Sequence, residues 1–318
     1  MVYPIDISIV IVTYKSKEYI MRCIESVRES VHRLTAEIII VDNASGDDIG
    51  EFLHAKFPEV ILIENEKNEG FARGVNRGAK RASGRYLYIL NPDTQLYPDT
   101  IEIMLNFIEK HPMCSLVGAR TVDETGRSIP NCRSLPHIAN VIKYPISFLF
   151  QHKRLRKPRR YLLDLWEQNE TIDVTKYNGY IKGASILTRL DFFKEMGMFD
   201  EQYFLSSEDC DFGLRITRSG FHAFLVTETS LVHFEGRSVS KNPRSRLYAV
   251  DAYVRYFRKN FTFLHGVAYK TCFFLLVFSW VVGRFLRFER SEVPILLQTL
   301  MCFIPYWLGG PPSLPEQS

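Results

Sequence analysis

Three carboxylates fall within four residues at Glu208-Asp209-Cys210-Asp211. One acid at a helix start is ordinary capping, because the first backbone amides and the helix dipole favour negative charge there. Three exceed what a cap needs, and their repulsion calls for a compensating cation or a bound substrate. A further acid, Asp93, stands in Asn91-Pro92-Asp93 directly after the apolar run Tyr-Leu-Tyr-Ile-Leu at 86–90. Hard cations choose carboxylate and phosphate oxygens, so an acid just past a buried strand can hold a metal that also touches a diphosphate. The same tripeptide is also a good turn. His233 ends the run Leu231-Val232; an imidazole there can ligate a metal or hold a phosphate oxygen, although a lone histidine is more often structural. One acid as proton acceptor and another with a cation suit displacement of a nucleoside diphosphate from a sugar carbon.

The elements around these residues alternate. Residues 7–12 (I-S-I-V-I-V), 38–41, 60–63 and 86–90 are short, apolar, largely β-branched runs that read as buried strands. After the first, Ser16 is placed to cap a helix whose apolar residues are Ile20, Ile24, Val27, Val31 and Leu34, a helical stripe. Four rounds of strand and helix predict a parallel sheet covered by helices, with ligands beyond the carboxyl ends of the strands. Thr13-Tyr14, Asp42-Asn43 and Asn91-Pro92-Asp93 all fall at those ends. The segment 68–78 (N-E-G-F-A-R-G-V-N-R-G) is glycine-rich but lacks the order G-x-G-x-x-G and follows the third strand. Its arginines and backbone amides can approach a diphosphate at a helix start.

Beyond the helix at 101–108 the pattern loosens. Residues 123–176 read as loop, with a basic run at 153–160. A second organised block at 180–232 holds a strand at 181–187, a helix at 191–196, the acidic helix start and strands near Phe224 and Leu231. From Arg244 the chain reads helical, aromatic and basic.

The net charge of +4 is too small to argue for nucleic acid. Its distribution says more: residues 237–290 hold eleven Lys or Arg against Asp251 and Glu289, a balance suited to an anionic membrane or a phosphorylated lipid. The apolar stretches 271–283 and 293–308 fall short of the ~20 residues a spanning helix needs, so an interfacial or re-entrant placement is expected. Six scattered cysteines without a C-x-x-C pair point to reduced thiols. No charged segment precedes the first apolar run, so the expectation is a chain that starts in the cytoplasm.

With these residues in view, the chain resembles the family 2 glycosyltransferases, in particular their bacterial rhamnosyltransferase-like branch. The resemblance rests on V-I-V-T-Y at 10–14, V-D-N-A-S-G-D at 41–47, the segment 68–78 and L-N-P-D-T at 90–94. It continues with K-G-A-S-I-L at 182–187, F-D-E-Q-Y-F at 199–204, E-D-C-D at 208–211 and L-V-H-F-E-G at 231–236. It implies a glycosyltransferase A-type α/β fold over 1–240, with a Rossmann-like nucleotide-binding half and a mixed sheet. A helical, membrane-associating region follows at 241–318.

By the same resemblance, Thr13, Tyr14, Asp42 and Asn43 surround the nucleoside, and Asn68, Gly70 and Asn76 line the nucleotide-sugar pocket. Asp93 ends the family's metal-binding D-x-D, and His233 completes a Mg²⁺ or Mn²⁺ site. Asp209 matches the catalytic base, with Glu208 or Asp211 orienting it or the acceptor. Asn91 departs from the pattern by replacing the first acid of D-x-D, and Phe204-Leu205-Ser206-Ser207 is more polar than usual. The implied reaction is inverting transfer from dTDP-L-rhamnose, or from a UDP-hexose, to a polyprenyl-diphosphate-linked glycan. Its place is the cytoplasmic face of the inner membrane. A nucleotidyltransferase would carry a basic glycine-rich loop after the first strand, which Thr13-Tyr14-Lys15-Ser16 lacks. A non-catalytic scaffold would have lost Asp93 or the acids at 208–211.

Overall fold

A computed structural model describes residues 3–31, 33–137, 170–234 and 243–286. The basic run at 153–160 and the apolar stretch at 293–308 lie outside the described residues. Two compact units are distinguished, one carrying the sheet and one carrying the C-terminal helices.

In the first unit, β1 (Ile7–Thr13), α1 (Lys17–Ser30), β2 (Ala36–Asp42), α2 (Ile49–Lys56), β3 (Ile61–Glu64), α3 (Phe71–Arg81) and β4 (Tyr86–Leu90) alternate as expected. These four strands are parallel, in the order β3-β2-β1-β4. Alternate residues serve opposite faces, as a two-residue period requires. Ile7, Ile9, Ile11, Tyr86, Tyr88 and Leu90 pack with α1 and with α4 (Thr100–Lys110), while Val10, Val12, Leu87 and Ile89 pack on the α3 side. Burial on both faces explains why β1, β2 and β4 read as largely apolar runs, while β3, at the sheet edge, is only partly buried.

Beyond β4 the sheet becomes mixed. It continues through β11 (Ser185–Arg189), β6 (Cys114–Val122), β12 (His222–His233) and β5 (Thr94–Leu96), with β7 (Ser128–Ile129) and β9 (Ile172–Asp173) on its margins. β8 (Cys132–Ser134) and β10 (Gly179–Ile181) form a separate antiparallel ribbon. Short α5 (Leu190–Glu195) and then α6 (Glu208–Arg218) cover the α3 face.

Several expectations are corrected. The strand read at 181–187 is two, β10 and β11, broken at Lys182-Gly183-Ala184. The two strands read near Phe224 and Leu231 are one, β12, bent by an irregularity between Val226 and Ser230. Ser16 does precede α1, but its hydroxyl donates to the Tyr14 carbonyl at 3.1 Å and caps no helix amide. The helix stops at Ser30, so only Ile20, Ile24 and Val27 of the predicted stripe bury along it.

The glycines of α3 serve packing. A Cβ on Gly78 would stand 2.4 Å from Val10 Cγ1, and one on Gly74 2.7 Å from Val12 Cγ1. Real side chains there would lift the helix off β1.

In the second unit, α7 (Pro243–Asn260) pairs with α8 (Phe263–Leu286). Tyr269 of α8 packs against Tyr253 and Phe257 of α7. Leu264, Val267, Leu275 and Phe278, spaced at three, eight and three residues, are exposed along another side of α8. Among the described residues no helix is long and apolar enough to cross a membrane.

Candidate active site

The chain builds β1, β2 and β3 outward in one direction, then returns to place β4 on the other flank of β1. Such a reversal opens a crevice between the loops after β1 and β4, the common ligand position in open α/β sheets. Thr13 closes β1 opposite Asp42, the last residue of β2, and Ile11 pairs with Leu90 of β4. Thr13, Tyr14, Asp42 and the Asn91-Pro92-Asp93 turn therefore share one edge. The Thr13 hydroxyl is buried with no hydrogen-bond partner among the described residues. Tyr14 is exposed, with the Lys15 ammonium 5.4 Å from its ring centroid.

Other predicted nucleotide contacts are committed to the framework of this edge. The Asp42 carboxylate accepts the Ser45 amide at 3.1 Å and the Ser45 hydroxyl, and Ser45 Oγ accepts the Lys15 amide at 2.8 Å. The Asn43 side chain donates to the Gly70 carbonyl at 3.1 Å and accepts from Asn65 at 2.7 Å. Asn68 Oδ1 accepts the Gly70 amide at 2.9 Å, shaping the entry to α3. Gly70 has φ +87°, and a Cβ there would meet the Phe204 carbonyl oxygen at 2.3 Å. Asn76 is clamped to the segment before α6: it donates to Phe199 O at 2.8 Å and accepts from Phe199 N at 3.1 Å. The structure thus makes Asn43 and Asn76 struts between loops.

Asp93 and His233 converge as the sequence suggested. β5 and β12 pair antiparallel with Thr94 opposite His233, and the Phe234 amide donates to the Asp93 carbonyl at 2.9 Å. His233 Nε2 lies 3.2 Å from Asp93 Oδ1, and both residues are buried. No set of three His, Cys, Asp or Glu converges on a metal among the described residues. One carboxylate and one imidazole still fit an ion of the Mg²⁺ or Mn²⁺ kind, which takes few protein ligands and completes its shell with phosphate oxygens and water.

The acids of α6 take three different environments. Asp211 is fully buried and structural: Arg215 Nε donates to it at 3.0 Å, and the same guanidinium holds the Met196 and Met198 carbonyls. Glu208 is buried, and its Oε2 has no hydrogen-bond partner among the described residues. Burial, then the neighbouring Asp209 charge, pushes its pKa well above the ordinary carboxylate range. Asp209 is half-buried. Its Oδ2 accepts the Gly183 amide at 2.9 Å and its Oδ1 the Cys210 amide at 2.7 Å. Burial raises its pKa, opposed by those two amides and by the charges of Lys182 and Arg133.

Gly183 joins this site to the sheet edge. β11 runs antiparallel to β4 with Ser185 opposite Leu90, and the Asn91 amide donates to the Ala184 carbonyl at 3.0 Å. The break between β10 and β11 therefore ties the Asn91-Pro92-Asp93 turn to Asp209 through three consecutive residues. Sequence reasoning missed this role, although a glycine inside a strand pattern signals a close approach.

The family model for glycosyl transferase family 2 matches residues 8–185, more than half of the chain. The chain belongs to that family. The match runs from β1 to the start of β11, so it takes in every element of the nucleotide edge, while Asp209 and His233 lie beyond it. Among relatives of this family 2 chain is the N-acetylglucosaminyl-diphospho-decaprenol L-rhamnosyltransferase of Mycobacterium tuberculosis. It is 24% identical over 252 residues, spanning 76% of this chain and 80% of the relative. Among solved structures, GalNAc-T7 with UDP, GalNAc and Mn²⁺ has a TM-score of 0.57 at 18% identity, covering 80% of this chain and 48% of that one. The Pyrobaculum calidifontis mannosyltransferase PcManGT, in complex with GDP-Man and Mn²⁺, has a TM-score of 0.56 at 14% identity, covering 94% and 79%. At such identities these likenesses establish a shared fold.

Proposed function

We propose that this family 2 glycosyltransferase moves L-rhamnose from dTDP-L-rhamnose to a polyprenyl-diphosphate-linked glycan, with inversion at the anomeric carbon. The observation that carries the reaction class is Asp209, a carboxylate held by the amides of Gly183 and Cys210 beside the nucleotide edge of the sheet. The choice of sugar and of acceptor class is supported by the name of the mycobacterial relative, and dTDP as the carrier rests on the family resemblance.

In this reading Thr13 and Tyr14 receive the nucleoside, while Asp42, Asn43, Asn68, Gly70 and Asn76 fix the loops around it. Asp209 takes the proton of the acceptor hydroxyl. The freed oxygen forms its bond to the anomeric carbon as the bond to the diphosphate oxygen breaks on the opposite face. Burial lifts the proton affinity of Asp209 toward the working range of a general base. A divalent ion held by Asp93 and His233 would, when bound, supply positive charge for the departing diphosphate.

Residues 1–240 form the catalytic domain in this reading, and 241–318 face a membrane from its cytoplasmic side. The exposed apolar line of α8, on a segment rich in Lys and Arg, supports that placement.

The test is transfer by the purified protein from dTDP-L-rhamnose and from UDP-hexoses to a short-chain prenyl-diphosphate glycan, with the product anomer assigned by NMR. Rhamnosyl transfer with inversion is the expected result. Transfer from a UDP-hexose alone would overturn the donor assignment, and retention would overturn the single displacement.

A further inference from the structure

The acids of α6 have cationic neighbours that proton abstraction does not require. In the β8–β10 ribbon Arg133 lies directly opposite Tyr180. Lys182 follows Tyr180 by two residues, and its amide continues the ladder to the Asn131 carbonyl at 2.8 Å. Strand alternation therefore carries Arg133, Tyr180 and Lys182 to one face.

That face meets α6. A Cβ on Gly213 would stand 2.5 Å from the Tyr180 Cβ, so the close contact depends on glycine. Asp209 lies one turn N-terminal of Gly213, on the same side of the helix. The ribbon thus brings two cations up to the carboxylate that the proposed reaction uses as base, and the Gly183 amide, next along the chain, bonds it directly. Lys182 Nζ is steadied by the Pro130 carbonyl at 3.0 Å, and Arg133 is exposed.

Cations beside a general base lower its proton affinity, which works against its task. An anion docked on them reverses the effect, because its charge offsets theirs and the carboxylate regains basicity. We propose that Arg133 and Lys182 form an anion subsite for a phosphate or diphosphate group of the acceptor, beside the hydroxyl that Asp209 deprotonates. The guanidinium fork matches phosphate oxygens in pairs and the ammonium adds a point charge. The subsite rests on the proposed function. It adds that the acceptor is selected by its charge close to the reacting sugar, and that binding this charge activates the base.

The experiment compares two acceptors of the same saccharide, one on a short prenyl diphosphate and one as the neutral octyl glycoside. Wild-type protein is expected to prefer the diphosphate in kcat/KM by about tenfold or more. Arg133→Ala and Lys182→Ala should each bring that preference toward one, with Arg133→Lys restoring part of it. The pH profile of kcat should also sit higher with the diphosphate acceptor than with the octyl glycoside. Equal use of both acceptors by wild type, or an unchanged preference in both variants, overturns the subsite alone. Loss of nucleotide affinity with equal effect on both acceptors would place the cations on the donor diphosphate and overturn it too. No transfer to either acceptor would overturn the proposed function, and the subsite with it.

Discussion

The Gly183 amide donates to Asp209 Oδ2 at 2.9 Å across 26 residues of sequence, and it does so from a break in a strand. With the Cys210 amide on the other oxygen, the carboxylate is fixed in place while one side stays half-exposed. Fixing a base costs a substrate less ordering at the moment of reaction.

Asp209→Asn keeps the side chain's size and removes its basicity. The expected outcome is a fall in kcat of about 10²–10⁴-fold, with nucleotide affinity retained in a binding titration. Turnover at the wild-type rate would show that another group takes the proton.

Glu208→Gln tests the buried neighbour through stability. Burial raises the Glu208 pKa above its ordinary value of 4.5, so above that pH the folded state holds a proton that the unfolded chain has lost. Stability then falls as pH rises from the ordinary value toward the raised one. The glutamine variant lacks this titration. Its Tm should exceed that of wild type at about pH 7–8, with the difference shrinking toward pH 4.5; a constant difference across that range would contradict the assignment.

Asp211→Asn separates structure from chemistry among the three acids. It removes the charge facing Arg215, the guanidinium that also holds the Met196 and Met198 carbonyls. The expected loss is about 3 kcal/mol of stability, as for breaking a buried pair, read by denaturant melts. The folded fraction should retain far more activity than Asp209→Asn.

Much of the first half was legible because β1, β2 and β4 are buried on both faces and so appear as largely apolar runs. β6 escaped because Ser115, Gly118, Arg120 and Thr121 interrupt its apolar residues. β10 and β11 read as one strand because Lys182-Gly183 sits between apolar residues on both sides, and the significance of Gly183 lies in what its amide meets. That Asp93 and His233 share one site was implied by the family resemblance and not by their types, and the Thr94–His233 register brings the two side by side. The commitment of Asn43 and Asn76 to neighbouring loops was not legible, because their partners lie 22 to 27 and 123 to 125 residues away in the chain. The packing role of Gly74 and Gly78 was hidden for a similar reason: the valines that require them belong to β1.

The exposed line of Leu264, Val267, Leu275 and Phe278 predicts binding to anionic lipid vesicles. Replacing both Leu275 and Phe278 by glutamate should abolish co-sedimentation with vesicles containing phosphatidylglycerol. Undiminished binding by the double variant would remove α8 from the membrane contact.

The most direct test of the central claim is a thermal-shift panel of dTDP, UDP, GDP and NAD, each with and without Mg²⁺ or Mn²⁺. A nucleotide at one hundred times its dissociation constant stabilises the fold by about 2.7 kcal/mol. The account predicts a metal-dependent upward shift with dTDP that is lost in Asp93→Ala. A well-folded protein that no nucleotide shifts, with or without metal, would contradict the account at its root.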